Sequence, residues 1–115
     1  MKTKIAAILV STALCGASAM AQQATSSSLY LENCALCHGE AARGATNPDY
    51  DGSILVGNAF VKKQTDDQLI AFLKKGRPAD APDSTMHLLM PAFDYLSDAD
   101  LKLLVQFLRR TADAQ

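Results

Sequence analysis

Residues 29–39 read Leu29-Tyr30-Leu31-Glu32-Asn33-Cys34-Ala35-Leu36-Cys37-His38-Gly39, and the five from Cys34 to His38 decide what the chain can be. Two thiols with two residues between them stand about one helical turn apart. That spacing lets Cys34 and Cys37 add across the two vinyl groups on one side of a porphyrin, while His38 gives a ring nitrogen to iron; C-x-x-C-H is the run that attaches a c-type haem. Two other chemistries use paired thiols. A dithiol redox pair normally follows a strand in a βαβ pattern, and none precedes Cys34. Structural zinc takes four ligands, whereas the chain downstream of the run offers only His87 and carboxylates. The expectation is one covalent haem c held by Cys34, Cys37 and His38.

Working upstream, Leu29, Asn33 and Leu36 fall near one face of a helix, which predicts a short helix over residues 28–37 ended by Gly39. The preceding QQATSSS, residues 22–28, has no apolar period and reads as a mobile lead-in closed by a serine N-cap. Before it, a charged start at Lys2 and Lys4, a short apolar run from Ile5 to Leu14 and the ending Ala19-Met20-Ala21 describe a secretory signal peptide over residues 1–21. The run falls short of the about 20 apolar residues a spanning helix needs, so no stable membrane insertion is expected after cleavage. Acylation at Cys15 is disfavoured by Leu14, which occupies a place where cleavage wants a small side chain, and a retained anchor is the other alternative. The expected organisation is therefore a cleavable segment, 1–21, and one domain, 22–115, in the periplasm.

Of 115 residues, 94 remain after that cleavage, a size at which a core alone gives modest stability. Lys2 and Lys4 leave with the signal, so nine of the 11 basic side chains face 12 acidic ones. A mildly negative domain is a poor match to nucleic acid, whose phosphates require a concentrated basic surface.

Downstream, residues 39–64 hold four glycines, at 39, 44, 52 and 57, with Pro48 as a further breaker, and show no sustained period. A connection this long in a compact domain suits a loop that wraps a ligand. Thr65-Asp66-Asp67-Gln68 is a capping box, followed by Leu69, Ile70, Phe72 and Leu73 and closed by Lys74-Lys75-Gly76. Prolines at 78, 82 and 91 forbid a continuous helix from Arg77 to Pro91. Ser97 then caps a last helix carrying Leu101, Leu104, Val105 and Leu108, with Arg109 and Arg110 toward its end. With no convincing strand, the fold should be all-α: three to five short helices around one haem.

An iron that only shuttles electrons needs a sixth ligand. In the exported chain the thioethers are Met86 and Met90 and the spare imidazole is His87. Met90 is favoured because Pro91 holds the backbone before it extended, and Met86 and His87 stay open as replacements.

The early C-x-x-C-H, the middle LVGNAFV, the GRP after the central helix and the final MPAFDYLSDADLKLLVQFLRR together resemble the class I monohaem cytochrome c family. The resemblance covers most of the chain beyond residue 21. It implies thioethers at Cys34 and Cys37, His38 as proximal and Met90 as distal ligand, and a crossing of first and last helices near Tyr30 and Phe107. Ser26 stands where this family commonly has glycine, which implies a less close crossing. Gly52-Ser53 replaces the family's frequent Gly-Pro, whose carbonyl accepts the proximal histidine's other ring proton; a serine carbonyl can do the same.

The function so implied is single-electron transfer between redox proteins, such as a dehydrogenase donor and an oxidase or second cytochrome as acceptor. The sequence shows no nucleophile or open coordination site, so an enzyme is not expected; the alternative is a haem-based catalyst or gas or peroxide sensor with a displaceable sixth ligand. Leu36, Leu55, Phe60, Leu69, Phe72, Leu89, Phe93, Leu101 and Leu104 are candidates for the haem wall. Lys62, Lys63, Lys74, Lys75 and Arg77 are candidates for a partner surface.

Overall fold

The computed structural model describes residues 15–115, so the apolar run expected of a signal segment lies outside the described residues. Five α-helices follow in order: α1 (Cys15–Asn33), α2 (Ala35–His38), α3 (Ala59–Lys63), α4 (Asp66–Lys75) and α5 (Asp98–Asp113), with a 3-10 turn at Pro48–Tyr50. Among the described residues there is no strand, only an isolated antiparallel bridge between Arg77 and Met90. The fold is all-α, as expected.

Local chemistry explains the two best-defined helices. Thr65 Oγ1 accepts from the Gln68 amide at 3.2 Å while Gln68 Oε1 accepts from the Thr65 amide at 2.8 Å, so two orphan donors at the start of α4 are satisfied reciprocally. Ser97 Oγ accepts from the Asp100 amide at 3.1 Å, and Asp98 and Asp100 set negative charge at the positive end of α5. The apolar stripe of α5 is buried throughout, at Leu101, Leu104, Val105, Leu108 and Ala112.

Two expectations for the first half are corrected. Residues 22–28 are helical, not a mobile lead-in, and Ser28 lies inside α1 instead of capping it. The segment is held in part by its hydroxyls, which bond back to the preceding turn: Thr25 to the Ala21 carbonyl and Ser26 to that of Gln23, both at 2.9 Å. Ser26 is fully buried and accepts from Arg110 of α5 at 2.7 Å, so a polar side chain at the crossing is satisfied across the interface. The second correction is α3, which interrupts the expected irregular stretch 39–64. Asn58 caps it, its side chain accepting from the Val61 amide at 3.1 Å.

Helices α1 and α5 cross where the resemblance implied. Tyr30 is fully buried and stacks on Phe107, with ring centroids 4.3 Å apart and planes inclined by 19°. The Tyr30 hydroxyl donates to the Gly39 carbonyl at 2.6 Å, which ties the crossing to the end of α2. Arg109 of α5 donates to the Val61 carbonyl at 2.6 Å and to Asp66 at 2.9 Å, fastening α3 and the start of α4 to the same helix. The core therefore lies on one side of α5, and the irregular segments 39–58 and 76–96 are left to enclose what stands beyond it.

Candidate functional site

Cys34 closes the turn between α1 and α2, Cys37 lies in α2 and His38 ends it. The Cys34 carbonyl accepts from the amides of Cys37 at 3.2 Å and His38 at 2.9 Å, which fixes the one-turn separation of the thiols. Leu36, between them, is 70% exposed and points away from the interior, so it is not part of the expected apolar wall. The following loop is pinned against the run, with the Gly44 amide on the His38 carbonyl at 2.9 Å and the Gly52 amide on that of Cys37 at 2.6 Å. A Cβ at Gly52 would stand 2.8 Å from His38 Nδ1 and 2.8 Å from the Cys37 oxygen, so only glycine lets the loop lie flat on the imidazole.

His38 Nδ1 is 2.7 Å from the Ser53 carbonyl oxygen. A carbonyl only accepts, so Nδ1 carries the proton and Nε2 keeps its lone pair. Burial holds the imidazole below the usual histidine range, outweighing the Ser53 bond that favours the charged form. The ring is thus a neutral donor. Burial, with a smaller contribution from Cys37, pushes the Cys34 thiol up to about 12, so it rests protonated.

Met90 comes from the far side of the sequence. Its amide donates to the Arg77 carbonyl and its carbonyl accepts from the Arg77 amide, both at 2.8 Å, closing residues 78–89 into a strap. The strap can close because Gly76 passes against residues 90–92: a Cβ there would meet the Met90 oxygen at 2.5 Å and the Pro91 carbonyl carbon at 2.7 Å.

Two adjoining cavities open between the C-x-x-C-H run and this strap. The first, about 320 Å³, is lined by Cys34, Cys37, His38 and Met90 together, with Tyr50, Met86, Leu89 and Phe93 among its walls. The second, about 300 Å³, shares Cys34, His38 and Met90 and continues into Leu55, Phe60, Leu69, Phe72 and Leu104. Leu101, expected in the wall, lines neither; it is fully buried in the core that α5 forms with the other helices. His87 also lines neither and is exposed, while Met86 lines the first cavity.

Arg77, expected on a partner surface, instead lines both cavities. Its side chain is only 20% exposed, and the guanidinium carbon lies 4.9 Å from the Phe72 ring centroid and 5.2 Å from that of Phe60. A partial signal existed: Arg77 is the one cation between Lys75 and Lys102. Lys74 is likewise engaged, 2.6 Å from Asp98.

With this geometry in hand, a family model described as cytochrome c oxidase, cbb3-type, subunit III matches residues 21–108. The chain belongs to that family. Its domain is a c-type cytochrome, consistent with the resemblance to class I monohaem cytochromes c, and its activity is haem-based electron transfer with redox proteins as partners. No match was found among curated proteins or among solved structures.

The cytochrome's residues suit a haem on two independent grounds. The donor set facing the first cavity is two thiols, a neutral imidazole and a thioether, the soft and borderline ligands that haem iron and its vinyl groups take. In addition, Arg77 Nε is buried with no hydrogen-bond partner, the only such side-chain atom among the described residues. A buried cation with an unmatched donor, on a residue that lines both cavities, suits a cofactor that brings carboxylates of its own.

Proposed function

We propose that this cytochrome carries one haem c, bound through thioethers at Cys34 and Cys37, with His38 and Met90 as axial ligands, and that it passes single electrons between redox proteins of the periplasm. When bound, the haem supplies an iron that takes up and releases one electron without making a bond to substrate. The chain's own residues do the rest. The Ser53 carbonyl fixes the tautomer and aim of His38, and the glycine at 52 removes any side chain that would tilt the ring. The Arg77–Met90 bridge would hold the thioether at the cavity that His38 also lines, and the apolar walls would keep bulk water away, which limits reorganisation as charge changes.

The observation that carries this reading is the convergence on one cavity of four donors, three from residues 34–38 and one from residue 90. His87 is the weaker candidate for sixth ligand because it is exposed and lines neither cavity. A removable signal over residues 1–21 would deliver the protein to the periplasm; among the described residues no helix is long and apolar enough to cross a membrane. A dehydrogenase donor and an oxidase or second cytochrome as acceptor fit such a carrier.

The test is direct. Protein matured with the haem-attachment machinery should keep haem stain on a denaturing gel, show the long-wavelength sulfur-to-iron band when ferric and refuse carbon monoxide when ferrous. Absence of stain sinks covalent attachment. Stain without the band, with carbon monoxide bound, points to the catalyst or sensor reading with an open sixth position.

A further inference from the structure

The strap that presents Met90 has almost nothing of its own to hold it. Residues 78–89 contain no helix, and their internal order is two successive turns, Ala81 amide to Pro78 carbonyl at 3.2 Å and Ser84 amide to Ala81 carbonyl at 2.9 Å. Among the described residues, one side-chain polar interaction involves this whole segment: Arg77 to Asp83, 3.3 Å. The Arg77 end of that pair is immobilised, with its guanidinium packed against Phe60 of α3 and Phe72 of α4 and its backbone bonded twice to Met90. A single residue therefore grips the strap twice, at its base through the main chain and near its middle through the side chain.

We infer that the Arg77–Asp83 ion pair is a latch that sets how readily Met90 leaves the haem iron, with both residues acting as positioning residues for the sixth ligand. The inference rests on Met90 ligation as proposed above. An incoming ligand binds only when the strap opens, so its apparent affinity scales with the open fraction, and anything that weakens the latch raises that fraction. Asp83 is the exposed partner, its side chain 65% accessible, so water and salt reach the pair and its effect belongs to the modest range of surface ion pairs.

The experiment is titration of the ferric holoprotein with imidazole, following loss of the sulfur-to-iron band. Asp83→Asn should bind imidazole about two- to fivefold more tightly than wild type, and Asp83→Glu should recover most of the difference. Asp80→Asn removes an acid that makes no ion pair among the described residues of the same strap, and should leave the affinity unchanged. In an Arg77→Gln background, Asp83→Asn should have no further effect, because the cycle isolates the pair. Salt near 1 M, where the screening length is about 3 Å, should raise wild-type affinity toward that of Asp83→Asn and leave the variant where it is.

Equal imidazole affinity in wild type and Asp83→Asn, with the band intact in both, overturns the latch while leaving Met90 ligation standing. A wild-type protein without the band removes Met90 ligation, and the latch falls with it. A loss of global stability alone, with imidazole affinity unmoved, shows a purely structural ion pair and also overturns the inference.

Discussion

Replacing Gly76 by alanine strikes the fold and the site through the same atoms. Gly76 ends α4 with φ +70° and ψ −168°, a conformation that essentially only glycine occupies, and its amide still donates to the Phe72 carbonyl at 2.8 Å. Holding alanine there costs about 1–3 kcal/mol before any contact is counted. The new methyl would lie 2.5 Å from the Met90 oxygen, 2.7 Å from the Pro91 carbonyl carbon and 2.8 Å from the Ala92 nitrogen. All three are backbone atoms, so no flexible side chain can yield. Relief requires residues 90–92 to move outward, away from the Arg77 bridge and from the bond between the Phe93 amide and the Leu73 carbonyl. The expected loss is at least about 2 kcal/mol in guanidinium unfolding of the holoprotein followed by circular dichroism. The sulfur-to-iron band should weaken in parallel, because the shifted backbone is the one carrying Met90. A change under about 0.5 kcal/mol with a full-strength band would refute the claim that this close approach builds the strap.

Other expectations follow from single contacts. Met90→Ala should abolish the sulfur-to-iron band, let the ferrous protein bind carbon monoxide and lower the reduction potential, whereas Met86→Ala should leave all three readouts as in wild type. Tyr30→Ala removes a fully buried ring stacked on Phe107 and should cost about 3–5 kcal/mol in denaturant unfolding. Tyr30→Phe keeps the ring but strips the Gly39 carbonyl of its donor, for a loss near 1 kcal/mol. For acid stability, the hydrogen bond and charge of Lys74 hold the Asp98 carboxyl below its ordinary 3.8. Its contribution is therefore present above 3.8 and lost as pH falls through the lowered value, so the midpoint gap between wild type and Asp98→Asn should be full above pH 3.8 and shrink as the pH is taken below it.

The parts of the molecule legible in the sequence are those fixed by neighbours along the chain. Thr65 and Gln68 lie three residues apart and satisfy each other whatever the rest of the protein does, and the same holds for Ser97 and Asp100. The spacing of Cys34, Cys37 and His38 is likewise local. What the sequence concealed depends on distant partners. Residues 22–28 look unstructured because their helix is secured by Arg110, 84 residues away from Ser26, and not by an apolar stripe of their own. Arg77 reads as one more surface cation until Phe60 and Phe72 are seen to pack on it and Met90 to pair with its backbone. Leu101 and Leu104 share one apolar face of α5, and only the arrangement of the other helices decides that the second meets the cavity and the first does not. The exception is α3, whose start at Asn58 is a local cap masked by the glycines around it.

The placement of Cys34 bears on how the proposed haem would be joined to it. Its sulfur belongs to a partly buried residue at the end of α1 that packs against the core and lines the first cavity with Met90. If a tetrapyrrole is joined to that sulfur as proposed, a flat ring has to reach the cavity wall between the terminal helices and the strap, so attachment is expected to be easiest before those segments close.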